Sequence, residues 1–300
     1  MGRIFYVSSM HGDDTNSGQT PEDAFRSLRK INQLEIQPGD QIFLERGSVF
    51  IGEYLHLYAG GTKEAPVVVD AYGEGALPRI EADGNGIWYQ NYGGHLDNVV
   101  HTWKGYLSSA VLLYDAEYIS IRNLEITNNP CIKNERLNQA DRMNRTGVSV
   151  IAQNHGTLHQ IELDHLYIHG VEGNIYDKHL NNGGIYMSVS RPDDEEKTGI
   201  ARYDGIHIHH CKVENCRRWG IAAGYTYQHD KFTTLELPDE VVKTYGSTNV
   251  VIEHNFVKDI GGDGITPMYC FEPLIQYNIS ENIAVDIHPD LYNEEGNRGG

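Results

Sequence analysis

The sequence predicts an all-β fold: a parallel β-helix solenoid with an N-terminal cap that contains a short α-helix. Three observations predict it. First, five segments share one eight-residue pattern, starting at Ile119, Ile161, Ile206, Val250 and Pro273. Aligned on Leu124, Leu166, Cys211, Asn255 and Asn278, they recur after 42, 45, 44 and 23 residues. A coil of three short strands and three turns needs roughly 20 to 25 residues at about 3.3 Å per strand residue, so the shortest spacing is one bare coil. Second, four residues after each aligned position stand Asn128, Gly170, Asn215, Asp259 and Asn282. These types accept a left-handed backbone and cap turns, as a stack of like turns requires. Third, a Gly precedes a β-branched residue in Thr146-Gly147-Val148, Gly183-Gly184-Ile185, Trp219-Gly220-Ile221 and Asp263-Gly264-Ile265. That register reads as a turn entering a buried strand.

The longer coils need loops, and Arg191–Lys197 and His229–Glu240 have the charged, turn-rich composition of loops. No helical period competes between residues 105 and 290. The N-terminal part differs. Tyr6 to Gly18 is rich in turn residues, and its adjacent Asp13 and Asp14 read as shaping a loop, since the alternating oxygen ligands of an EF-hand are missing. Phe25, Leu28, Ile31 and Leu34 stand at every third position and predict a short amphipathic helix within 21–34. Pro38–Asp40 then turns into a strand ending at Leu44. A helix over the open end of a β-stack covers its unpaired edge. Residues 1–60 are therefore read as a cap with the first strands, and 61–300 as coils of one continuous domain. The chain ends at Asn297-Arg-Gly-Gly300 without a capping pattern, which predicts a truncated stack with part of a catalytic set beyond residue 300.

The formal net charge of −18, from 42 acidic and 24 basic residues, argues against nucleic acid and anionic membranes as partners. An anionic polysaccharide stays admissible, because a basic patch or Ca²⁺ offsets the field locally. No apolar run reaches a membrane span and no signal peptide is visible, which predicts a cytoplasmic protein or a processed secreted one. Cys131, Cys211, Cys216 and Cys270 show neither a CxxC pair nor zinc-like spacing and read as free, buried thiols. P-loop, dinucleotide, HExxH and GxSxG motifs are absent, against nucleotide, zinc-protease and elbow-hydrolase chemistry.

Tyr6-Val-Ser through Asp14, Asn16 and Gly18, then Pro21, Phe25, Leu28 and Pro38-Gly-Asp40, resembles the N-terminal region of many bacterial right-handed parallel β-helix proteins. So do Glu45-Arg-Gly-Ser-Val-Phe50, Pro66-Val-Val-Val-Asp70 and Ala71-Tyr-Gly73. These belong to the pectin-lyase-like superfamily, and with the coils the resemblance covers nearly the whole chain. It implies a long groove along one face with loops as walls. The superfamily holds lyases, glycoside hydrolases, epimerases, esterases and non-catalytic adhesins, so function has to be argued from the site.

Asp263 is the first catalytic candidate. Its slot in the glycine register is held by Thr146, Gly183 and Trp219 in the preceding coils. With coils about 4.8 Å apart, Asp263 is expected beside Trp219, a carboxylate next to an aromatic plate on which a sugar ring stacks. The plainer reading is a carboxylate that caps a turn. A glycosidase needs a second carboxylate within roughly 5 to 10 Å; Asp177, Asp204, Glu172, Asp259 and Asp286 are the candidates, each otherwise a solvated acid. Arg218, with Arg217 beside it, suits a substrate carboxylate or a lyase base. Tyr225, Tyr227, His229 and Tyr269 follow strands of the glycine register and are expected to line the groove, or else to pack loops. His165, His210 and His254, with Tyr277 next, share one column; a stacked ladder is favoured there over a metal or proton-relay site, and His207 and His209 are read likewise. The function expected is hydrolysis of a poly- or oligosaccharide without a cofactor. The alternatives are a uronate lyase, for which Ca²⁺ is admissible, and a non-catalytic glycan-binding or structural β-helix.

Overall fold

The computed structural model describes residues 2–94, 103–129, 143–174, 180–234 and 236–285. Three sheets run the length of the molecule. Sheet A has eight strands, among them Ile119–Arg122, Thr157–Asp164, Arg202–His209, Thr248–Glu253 and Leu274–Gln276. Sheet B includes Glu125–Asn128, Tyr167–Val171, Lys212–Cys216, Phe256–Ile260 and Ile279–Ile283. Sheet C includes Lys104–Tyr114, Arg145–Ala152, Gly183–Val189, Ile221–Thr226 and Ile265–Pro267. Each turn of the chain adds one strand to A, then B, then C, and the pairing from coil to coil is parallel. Only Ile87–Asn91 runs antiparallel among the described strands, against Lys104–Tyr114 on sheet C.

The repeat alignment matches the observed register: Ile119 pairs with Ile161, Ile161 with Ile206, and Ile206 with Val250. Alternate residues of these strands point inward, so Ile121, Leu163, Ile208 and Ile252 form one fully buried column. The A-to-B corner is two residues long, and its first residue is left-handed: Asn123 at φ 57°, His165 at 49°, His210 at 52°, His254 at 55° and Tyr277 at 54°. The next column is Leu124, Leu166, Cys211, Asn255 and Asn278, and its last members are joined by amide hydrogen bonds. The Cys211 N–H donates to Asn255 Oδ1 (2.9 Å), while Asn255 Nδ2 donates to the Ile208 carbonyl (2.9 Å) and to Asn278 Oδ1 (3.0 Å). Asn255→Ala strands the Cys211 N–H and the Ile208 carbonyl in the core, and is expected to cost about 2 kcal/mol or more, read as a lower urea midpoint at unchanged slope.

Two expectations are corrected. Asn128 does not share the left-handed column of Gly170, Asn215, Asp259 and Asn282. The register shifts there, so that Asn128 pairs with Val171, and its buried side chain accepts from the Gly84 N–H and donates to Ser108 Oγ and the Thr146 carbonyl. The N-terminal helix shrinks to Leu28–Asn32, after a 3₁₀ turn at Pro21–Asp23. Phe25 bridges to Val7, and Asp14 Oδ1 takes the backbone N–H groups of Arg26 (3.0 Å) and Ser27 (2.9 Å), which holds that stretch extended. Residues 1–60 hold the first strands of the solenoid: Ile4–Val7 and Gln41–Glu45 pair in sheet A, and Val67–Tyr72 continues it.

Cys211, Cys216 and Cys270 are free, and burial pushes each thiol up to about 12; Cys131 lies outside the described residues. His56, on the sheet C strand Leu55–Leu57, is buried and donates from Nε2 to the Ser109 carbonyl (2.9 Å). Burial outweighs that bond and lowers its pKa from 6.5 to about 4. The unfolded chain therefore takes up a proton that the fold refuses. This contribution is intact above about pH 6.5 and is lost as the pH falls toward 4, reaching about 3 kcal/mol. His56→Gln is expected to remove that part of the acid sensitivity, seen by comparing urea midpoints at neutral and acidic pH.

Candidate active site

The B-to-C corners carry the glycine register. Thr146 pairs with Gly183; the Gly184 N–H donates to the Trp219 carbonyl (2.8 Å) and the Gly220 N–H to the Asp263 carbonyl (2.9 Å). Thr146, Gly183, Trp219 and Asp263 thus occupy one column across four coils. Glycine follows because the next coil passes too close for a side chain: a Cβ on Gly220 would lie 2.4 Å from the Gly264 oxygen, and one on Gly184 2.6 Å from the Gly220 oxygen. The requirement is clearance between coils, since neither residue has a positive φ.

Asp263 is half-buried at the end of this column. Trp219 is 4% exposed, with the Arg218 guanidinium 4.9 Å from its ring and Tyr186 edge-on at 6.1 Å. Arg218 is itself 4% exposed. The adjacency of Asp263 to Trp219 is therefore present, but Trp219 is packed under Arg218 and offers no open plate.

The sheet C strands Arg145–Ala152, Gly183–Val189 and Ile221–Thr226 are buried on both faces. Ile185, Met187 and Val189 fill the core, so Tyr186 and Ser188 point outward, and Tyr225 stands in register with Ser188. Over this outer face Tyr92, Tyr186, Tyr225 and Tyr269 interlock: Tyr225 meets Tyr92 edge-on at 5.9 Å, Tyr269 edge-on at 5.8 Å and Tyr186 stacked at 6.3 Å. Tyr225 and Tyr227, expected to line an open groove, are buried at 4% and 6% exposure. Tyr269, at φ 50°, is half-buried. The strand Ile87–Asn91 supplies part of the cover. Trp88 Nε1 donates to Ser109 Oγ (2.8 Å), and Gln90 Nε2 donates to Asn181 Oδ1 and Ser188 Oγ (both 3.1 Å).

The C-to-A loops form a polar recess of about 410 Å³, lined by Arg191, Glu195, Tyr227, His229, Lys231 and Tyr245. Tyr227 donates to Glu195 Oε2 (2.8 Å), and burial together with that carboxylate pushes its phenol up to about 12. His229 is thus grouped with Tyr227, Arg191 and Glu195.

The second carboxylate is where expectation and structure part. Asp204 lies on sheet A, not at the B-to-C corner, and Oδ1 accepts from Thr248 Oγ1 (2.8 Å) and Asn249 Nδ2 (2.7 Å). Burial raises its pKa, but these bonds and Arg202 outweigh burial and hold it below the usual value, so it braces two coils as a carboxylate. Glu172 does sit at the B-to-C corner, paired with Arg217 Nε (3.1 Å), and shares a recess of about 160 Å³ with Asp259 and Asn282. Asp177 and Asp286 lie outside the described residues.

Buried polar residues not singled out from sequence gather at the same corner. Arg145, 5% exposed, donates from a terminal nitrogen to the Glu172 carbonyl (2.8 Å), and Asn181 holds the Gln90 amide and the Tyr186 carbonyl. The pair Asn181-Asn182 directly before Gly183 is the sequence signal for them. The histidine column is a ladder: His165 and His210 stack at 4.9 Å, His210 and His254 at 5.1 Å, His254 and Tyr277 at 4.9 Å.

Over 99% of its length the chain is similar to a crystal structure of a GH136 lacto-N-biosidase from Eubacterium ramulus, at 52% identity and a TM-score of 0.94. The chain is a right-handed parallel β-helix. The native crystal of the Eubacterium ramulus protein matches 97% of the chain at the same identity and TM-score. A lacto-N-biosidase of Bifidobacterium longum subsp. longum is 38% identical over 335 residues and takes in 100% of the chain. The chain spans 48% of the Eubacterium ramulus structure and 21% of the Bifidobacterium protein, about half and a fifth of their lengths. No family model matches it.

Proposed function

We propose that this β-helix is the catalytic scaffold of a glycoside hydrolase with lacto-N-biosidase activity on oligosaccharides. The observation that carries the reading is the 52% identity over 99% of the chain to a protein of that name. The site supports it in kind. Asp263 is half-buried at the end of the column that holds the buried Trp219. In this reading Asp263 is one of the two carboxylates a glycosidase uses, and Asp177, outside the described residues, is the candidate for the other. Arg218 positions the corner through Trp219. The lyase alternative asks for an Arg base open to substrate, and the burial of Arg218 speaks against that role.

The test is product analysis on oligosaccharides ending in lacto-N-biose, using the full protein. Release of the disaccharide supports the reading. Formation of an unsaturated product points to a lyase, and binding without turnover to a binding module.

A further inference from the structure

We propose that the outer face of sheet A holds a divalent transition-metal cation, zinc(II) by its donor set, on Glu162, His207 and His209. This site is separate from the B-to-C corner and does not depend on the glycosidase reading.

The neighbouring strands Thr157–Asp164 and Arg202–His209 pair Glu162 with His207 and Asp164 with His209. Ile161, Leu163, Ile206 and Ile208 face the core, so these four polar side chains face outward as a block of two carboxylates against two imidazoles. One donor atom from each of Glu162, His207 and His209 lies within 4.8 Å of the others. Glu162 Oε1 and His209 Nε2 are 3.2 Å apart. Two ligands on a tetrahedral zinc, with bonds of about 2.0–2.2 Å, stand roughly 3.3 Å apart.

The surroundings match those of metal ligands, whose second ring nitrogen is normally held by a carboxylate. His209 Nδ1 is 3.1 Å from Asp164 Oδ1, and His207 Nε2 is 3.1 Å from Glu253 Oε1. Glu162 Oε2 takes the Ser120 hydroxyl (2.6 Å), which leaves Oε1 for the ion. Imidazole with carboxylate is the donor set of zinc, copper and nickel, not of calcium.

A plain ladder does not account for this cluster. In the ladder of His165, His210 and His254, like residues of successive coils stack on each other. His207 and His209 belong to one strand, their rings 3.8 Å apart, and they meet carboxylates of both neighbouring coils. The adjoining group of Asp164, His165 and His210 is more exposed, and two of its members are already committed to the ladder. An ion on the first group would tie two successive coils together.

Calorimetric titration of the chelator-stripped protein with zinc chloride at about pH 7 tests this. One ion per chain is expected, with calcium chloride giving no heat. The variant His207→Gln/His209→Gln is expected to weaken zinc at least about tenfold, while His155→Gln, whose ring pairs with Glu117 away from the cluster, leaves the affinity unchanged. Glu162→Gln, an isosteric change, is the second probe if the double variant fails to fold by circular dichroism, and is expected to weaken zinc as well. Absence of stoichiometric zinc binding, or binding that survives both His207→Gln/His209→Gln and Glu162→Gln, overturns the proposal.

Discussion

Replacing Asp263 with Asn is expected to lower kcat for lacto-N-biose release by about 10²- to 10⁴-fold, the range supplied by one general acid or base. The change is isosteric and leaves the backbone carbonyl of Asp263, which holds the Gly220 N–H at 2.9 Å, in place. Thermal unfolding should therefore be little changed while turnover collapses. Asp204→Asn is the contrasting variant. Its carboxylate braces Thr248 and Asn249 on sheet A, so it should lower stability and spare kcat. If Asp263→Asn keeps full turnover, Asp263 serves only the turn.

The second large effect is structural. Gly220→Ala puts a Cβ 2.4 Å from the Gly264 oxygen and 2.6 Å from Val257 Cγ1. Close-packed interiors do not absorb such an intrusion, and overpacking typically costs about 1–3 kcal/mol. Backbone on one side and a core valine on the other leave little room to yield, so a cost at the upper end is expected, measured as a fall in urea midpoint. The strain falls between the strands Ile221–Thr226 and Ile265–Pro267, directly after Trp219 and Asp263. Activity should therefore fall together with stability, whereas Asp263→Asn separates the two.

What was legible in the sequence follows from which features are local. The coils from Ile119 onward announce themselves because their A-to-B corners are two residues long and begin with a left-handed residue. The earlier coils escape the pattern because their corresponding connections, Arg46–Ser48 and Gly73–Pro78, are longer and differ from each other. Asn128 looked like a member of the turn column by count alone, but a one-residue register shift sends its amide into the core. Asp263 could be placed beside Trp219 because the glycine register counts coils. The burial of Trp219, Tyr225 and Tyr227 could not be foreseen, because what covers sheet C comes from elsewhere in the chain: Gln90 reaches Ser188 across 98 residues. The block of Glu162, Asp164, His207 and His209 has the same origin. Each pair is an ordinary alternation on its own strand, and only pairing across about 45 residues makes it a cluster of donors.

The most direct test is a crystal structure of the protein with lacto-N-biose bound. The account predicts a sugar ring at the B-to-C corner, with an Asp263 carboxylate oxygen about 3 Å from the anomeric carbon or from the oxygen bonded to it. A disaccharide bound on sheet A, or held anywhere with Asp263 more than roughly 10 Å from the anomeric centre, would contradict it.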